Sequence, residues 1–420
     1  MYGHPLRRSA LRILVLSDYQ CAGGAAIAAC RLLQGLAEAG TDVVHVTGRV
    51  ASDETRWPVY HLGLLYRYQV LHALLTKCHP GLALKLREST TERHLDGLLR
   101  RLRPDVINVH NLHGAAWSPR LVSLCARHAP TVWTLHDMWS FTGRCAYSYD
   151  CSKFRVGCDL SCPTPDEYPS LAPKCVMPAW KARRRLFKDH PAIVAVSPST
   201  WLAQEAQSGL WGGHRVEVIP YGLSLDKYLP VDRGIARAAL GVVDQGPVVL
   251  VAAQHLGERR KGGQLLADAL TLSQTRPLTV LTLGSGQNAA EIEGVHWQPF
   301  GYIDHERTKV LAYSAADLVI HSAPVDNLPL VVMEALACGT PCIAYRVGGL
   351  PDIIQAGVSG WLADDVSAAA LASVLDNALA AIAAGTDLRS TSRALAVARY
   401  SLTSQADRYL QLFQTMVTHQ

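Results

Sequence analysis

Short apolar runs recur along this chain, each closed by a polar or glycine-bearing loop and followed by a helix-length segment. Leu11 to Leu16, Val43 to Val46, Asp105 to His110, Thr131 to Leu135 and Ile193 to Ser197 make one series. Val248 to Ala252, Thr279 to Leu283, Leu318 to Ile320 and the run opening at Cys342 make a second. Apolar runs without polar alternation predict strands buried on both faces, and their alternation with helices predicts parallel sheets. Ala25 to Ala39, closed by Gly40, and Pro329 to Cys338, closed by Gly339, Thr340 and Pro341, predict connecting helices. Another helix is predicted from Ser199. Over residues 60–100 apolar and basic residues interleave, which predicts a helix pair divided at Pro80 and Gly81. That pattern suits a core-covering pair and equally a surface resting on a bilayer.

At 420 residues the chain exceeds one ordinary core. The pattern divides into a first domain over 1–212, a linker over 213–247 that contains the helix-forming RGIARAALG, and a second domain over 248–400. Charged residues make up 18% and apolar ones 49%, the balance of a globular protein and not a disordered one. A net charge of +5 is mild. It suits anionic ligands or a membrane surface and does not call for nucleic acid. No run of eighteen apolar residues predicts a spanning helix. The N-terminal MYGHPLRRSALRILVLSD places two arginines before an apolar run too short for a secretory signal, so it reads as a leader followed by a buried strand. A cytoplasmic location follows from that reading.

In open parallel sheets ligands bind beyond the carboxyl ends of the strands, so residues just after the strands are the candidates. Gly23 and Gly24 lie in SDYQCAGGAA, which is neither a GxGxxG fingerprint nor a Walker loop. His110, His113 and His136 follow two later strands. Arg259, Arg260 and Lys261 follow Val248 to Ala252 and place positive charge at the second sheet's ligand edge. Gly284 opens a GSG turn. Asp326 and Glu334 stand eight positions apart, one on a loop and one inside the following helix, where backbone N–H groups such as those of Asn327 and Leu328 attract phosphate. Cys145, Cys151, Cys158 and Cys162 fall within eighteen residues in polar, glycine-containing sequence. In a reducing compartment such clusters bind metal more often than they pair, and four thiolates suit a structural zinc. Disulfides and unbridged thiols are the alternatives. The basic segment PAWKARRRLFK reads as a solvated helix face or a surface for anionic lipid.

The stretch from Asp326 to Pro341 resembles the signature of retaining glycosyltransferases of family 4: Glu, seven residues, Glu, then Ala-x-x-x-Gly-x-Pro. Glu334, Ala335, Gly339 and Pro341 match, and Asp326 replaces the first Glu. The Gly23–Gly24 loop, His136 in TLHDMW, the PYGLSLDKYLP segment with Tyr228, Lys261–Gly262 and the WQPFGY strand end also resemble that family. The family's phosphate-binding Arg has no match, since His255 stands near its position, and Arg259 and Arg260 are the candidates to replace it. Relatives in bacterial exopolysaccharide synthesis, of the colanic-acid type, are similar in carrying a cysteine-rich insert after HDxW.

The resemblance implies an α/β protein of the GT-B fold, two Rossmann-like domains facing across a cleft, with the last helix, 401–420, returning to the first domain. It implies transfer of a sugar from a nucleoside diphosphate-sugar to a glycan or polyprenyl-pyrophosphate-linked acceptor at the inner face of the membrane. No catalytic metal is implied, because side-chain cations stabilise the diphosphate. By the same resemblance Glu334 holds ribose, Asp326 and His136 contact the sugar, Lys261 and an arginine bind phosphate, Gly23 and Gly24 admit phosphate or acceptor, and Gly301 frames the base. A sugar-nucleotide epimerase and a non-catalytic nucleotide-sugar-binding subunit are the rival functions.

Overall fold

A computed structural model describes residues 10–49, 56–63, 80–165, 167–242, 246–255, 257–285 and 291–418. The leader lies outside the described residues, as do 64–79 of the expected helix pair and Gly286 of the GSG turn. The chain forms two compact units: 1–198 with 202–219 and 405–420, and 199–201 with 220–404.

The first unit is built on seven strands: β1 (Arg12–Ser17), β2 (Asp42–Thr47), β3 (Val59–His61), β4 (Val106–Val109), β5 (Thr131–Thr134), β6 (Val194–Ser197) and β7 (Val216–Val218). All pair in parallel in the order β3-β2-β1-β4-β5-β6-β7. Ile13, Val15, Val132 and Val196 are fully buried, as expected for strands covered on both faces. Val59–His61 corrects the reading of residues 60–100 as wholly helical: the segment adds an edge strand to β2, and the described helix begins only at Pro80 and ends at Leu102. Three residues are too short for periodicity to reveal.

The helix Leu402–Thr418 enters this unit's core with Ala406, Tyr409, Leu412 and Phe413, which share one helical face. Tyr409 and Thr134 hydroxyls are 2.9 Å apart, so the buried phenol on that face is satisfied.

The second unit holds β8 (Val248–His255), β9 (Leu278–Ser285), β10 (Val295–Pro299), β11 (Leu318–His321), β12 (Cys342–Tyr345) and β13 (Gly360–Ala363), parallel in the order β10-β9-β8-β11-β12-β13. Within it, helix Arg233–Leu240 is tied down by Arg237, which donates to the Ala315 carbonyl and to Asp317. Both sheets therefore reverse strand order once, between β1 and β4 and between β8 and β11. Each is Rossmann-like, and each reversal opens a crevice at the carboxyl ends of its strands.

Candidate active site

In the second unit the loops after β8 and β11 meet at the reversal. A short turn, Arg259–Lys261, ends in Gly262 at φ +70, where a Cβ would lie 1.9 Å from the Ser322 carbonyl oxygen. Glycine alone permits that approach, and it brings Lys261 Nζ to 3.2 Å from Asp326 Oδ2. His321 Nε2 stands 3.3 Å from the same oxygen, and the Asn327 N–H donates to Asp326 Oδ1 at 2.9 Å. Burial works against ionisation of Asp326, but Lys261, His321 and Arg260 outweigh it and hold the carboxyl well below the usual range. The site thus keeps a buried anion clasped by a cation within reach of backbone N–H groups.

From the other side Gly348, at φ +56, would clash through a Cβ with the Asp326 carbonyl, 1.9 Å away, and the Gly349 N–H donates to that carbonyl at 3.2 Å. The Asn327 side chain is bonded to Ser199 Oγ. The helix Leu330–Ala337 follows with Pro329 at its N-cap, and Leu328 before it is buried. Glu334, also buried, accepts a hydrogen bond from Tyr313 at 3.0 Å. Burial, reinforced by Glu334, pushes the Tyr313 phenol well above its usual range, so it acts as a fixed donor.

Not every expected contact is made by side chains. Lys261 is bonded to Asp326, Arg260 pairs with Glu258 at 3.6 Å and also favours the charged Asp326, and Arg259 is exposed. His255 Nδ1 is bonded to Ser285 Oγ at 2.7 Å. Gly284 has a packing reason: its Cβ would lie 1.7 Å from the Ala253 carbonyl oxygen, and its N–H donates to the Gly301 carbonyl at 2.8 Å. Sequence reading missed His321, Tyr313, Ser199 and Gly348. His321 ends a strand, the same signal that singled out His110 and His136. Tyr313 carried no signal, because its partner lies 21 positions away.

The first unit has its own polar edge at the β1–β4 reversal. Gly23 caps the helix Gly24–Glu38 at φ +83, and a disulfide joins Cys21 to Cys30 across that helix start. Asp18 accepts from the Gly114 and Tyr19 N–H groups, and burial raises its pKa to about 6. His113 joins Asp137 Oδ2 and the Tyr168 hydroxyl, both at 2.9 Å. Burial lowers the His113 pKa, but Asp137 overcomes this and raises it. His136 is buried and bonded to His110 at 2.8 Å, and burial lowers its pKa to about 4, so it is neutral. The four clustered cysteines are unpaired and border one cavity. Among the described residues no three His, Cys, Asp or Glu side chains form a ready-made metal-binding group.

Comparison with known families resolves what these crevices belong to. The Glycosyltransferase Family 4 pattern matches residues 22–227, and the Glycosyl transferases group 1 pattern matches residues 246–381. The chain carries two glycosyltransferase domains, family 4 in its first half and group 1 in its second. Among curated relatives it is 28% identical over 269 residues to WcaC of Escherichia coli (strain K12), assigned as a colanic acid biosynthesis glycosyl transferase, covering 61% of this chain and 64% of WcaC. It is 33% identical over 174 residues to a D-inositol 3-phosphate glycosyltransferase of Mycobacterium sp. (strain KMS), covering 39% of each. The chain thus spans less than two thirds of either relative.

Solved structures of the same fold include sucrose-phosphate synthase from Thermosynechococcus elongatus, with TM-score 0.72, 20% identity and coverage of 98% of this chain and 100% of that one. Another is Anabaena HepE in complex with UDP-glucose, with TM-score 0.68, 16% identity and coverage of 96% and 100%. The chain departs from the signature it resembles at Asp326, whose shorter side chain is already engaged by Lys261 and His321. No helix among the described residues is long and apolar enough to cross a membrane.

Proposed function

We propose that this chain transfers a sugar from a nucleoside diphosphate-sugar to a hydroxyl of a glycan or lipid-linked saccharide during polysaccharide assembly, with retention at the anomeric carbon. The Lys261–Asp326 pair at the β8–β11 reversal carries the reading. It offers a cation and backbone N–H groups that suit a diphosphate, and Glu334 stands on the helix just beyond. HepE, a chain of similar fold, binds UDP-glucose, which favours a nucleotide-sugar donor here.

The chemistry follows from that arrangement. As the bond from anomeric carbon to phosphate oxygen breaks, charge grows on the phosphate, and Lys261, assisted by Arg260 or Arg259, stabilises it. The departing phosphate oxygen takes the acceptor's proton while the acceptor oxygen bonds to the same face of the anomeric carbon. Positioning then supplies much of the remaining acceleration, and no divalent ion is needed for the step. Glu334 accepts the ribose hydroxyls, and Asp326 orients the sugar. The resemblance gives His136 a contact with the transferred sugar, a role that rests on sequence.

The test is to incubate the protein with a panel of nucleoside diphosphate-sugars and isolated polysaccharide precursors, following label transfer and anomeric configuration by NMR. Transfer with retention that falls sharply in Lys261→Ala supports the reading. Conversion of the donor to another sugar-nucleotide without an acceptor would support an epimerase instead.

A further inference from the structure

Beyond the crevices, residues 141–172 form a long excursion before the helix Pro173–Asp189, and among the described residues of it the only regular element is the three-residue turn Lys153–Arg155. So little secondary structure needs another means of holding one shape. Part of it is an arginine knot: Arg144, almost wholly buried, donates to the carbonyls of Thr164, Glu167 and Pro169. Part is apolar, since Phe154 packs on Phe141 with ring centres 5.6 Å apart and its carbonyl accepts from Trp180 at 3.2 Å.

At the centre lies a narrow cavity of about 10 Å3, room for one water-sized particle, and Cys145, Cys151, Cys158 and Cys162 all line it. None of the four is paired, whereas Cys21 and Cys30 are. The Gly143 N–H donates to Cys158 Sγ at 3.2 Å, which fixes that sulfur at the cavity wall. Arg144 and Lys153 also line the cavity, and the buried Arg183 donates to the Gly143 carbonyl.

We propose that these four cysteines bind one zinc ion as a structural site that fastens the excursion. Four thiols release their protons to solvent as their sulfurs bond Zn2+, leaving a complex of net charge −2 that Arg144 and Arg183 offset, Lys153 being already paired with Asp159 at 2.9 Å. The sulfurs line the cavity wall and do not yet form a closed shell, so binding draws them inward to the tetrahedral arrangement zinc prefers. Near its end the excursion carries Tyr168, whose hydroxyl meets His113 at 2.9 Å, and Arg144 grips the carbonyls on both sides of it. The ion would thereby steady a tyrosine at the first unit's ligand edge. This assignment does not depend on the sugar-transfer reading.

The experiment is elemental analysis of full-length protein purified under reducing conditions, with reconstitution of chelator-stripped protein by Zn2+ and by Co2+. The expected result is about one zinc per chain, thiolate-to-cobalt charge-transfer bands on Co2+ binding, and protection of Lys153 and Arg155 from trypsin that is lost on chelation. Cys151→Ser and Cys162→Ser should each weaken binding roughly tenfold or more, and Cys175→Ser, outside the cavity, should bind zinc normally. Should a cavity variant fail to fold, the wild-type cobalt spectrum still decides. Metal-free purified protein that takes up neither ion, or peptide mapping that finds the four cysteines joined as two disulfides, would overturn the proposal.

Discussion

Lys261 and Asp326 each depend on the other. Removing the lysine takes the bonded cation from a buried carboxylate that His321 and Arg260 still face, whereas removing the carboxylate leaves the lysine without that partner. Lys261→Ala is therefore expected to lower kcat by on the order of a hundred- to a thousandfold, the range seen when one preorganised charge or donor is lost. Circular dichroism should show the fold retained. Equal turnover in the variant would remove the lysine from the mechanism.

Acid sensitivity belongs to the residue scale as well. His45 and His136 are buried, and burial lowers each pKa from 6.5 to about 4. The unfolded chain binds protons that the folded one refuses between those values, so stability is lost as pH falls from about 6.5 toward 4. Each group contributes on the order of 3 kcal/mol over that window. Asp18 works the other way. Its pKa is raised to about 6, so it loses stability as pH rises from about 4 to 6 and offsets part of the histidine slope. Urea midpoints measured across this range should drop toward acid, and His45→Gln should flatten the drop while keeping a partner for Ser17. A variant with the wild-type slope would mean that His45 is not the group titrating.

Among elements, the two crevices are instructive because both hold a buried aspartate: Asp18 after β1 accepts from Gly114 after β4, as Asp326 after β11 meets Lys261 after β8. Strand–helix alternation was legible because both sheets are parallel and covered, so the runs Ile13–Leu16 and Val248–Val251 are uninterrupted. Asp326, Lys261 and Glu334 were legible because they follow strands in order. Tyr313, Ser199 and Gly348 were not, since each reaches the site through tertiary proximity that no local pattern encodes. Nor was Val59–His61, which is held as a strand by pairing with β2 and carries no run of its own. Tyr313 gives this level its prediction. Tyr313→Phe removes one buried donor from Glu334 and should cost about 1–3 kcal/mol of stability, with a higher donor KM and nearly unchanged kcat. A change in kcat alone would show that Glu334 does more than grip the donor.

Across the whole molecule, donor binding is a stability measurement in disguise. A ligand that binds the folded chain alone stabilises it by RT ln(1 + [L]/Kd), about 2.7 kcal/mol at a hundred times Kd. In the proposed reading Lys261 meets phosphate, which any nucleoside diphosphate carries, and Glu334 meets ribose, which only a nucleoside carries. Pyrophosphate, a nucleoside diphosphate and a full nucleotide-sugar at one concentration should therefore raise the melting temperature in that ascending order. Lys261→Ala should lower all three shifts, because each ligand carries the phosphates. Glu334→Gln should leave pyrophosphate untouched and reduce the other two, because only they carry ribose. If Glu334→Gln lowered the pyrophosphate shift as much as the others, the glutamate would be supporting the loop and not reading the nucleoside. If no nucleotide-sugar exceeded its parent diphosphate, the sugar would have no purchase on this chain, and Asp326 would be left as a partner for Lys261 alone.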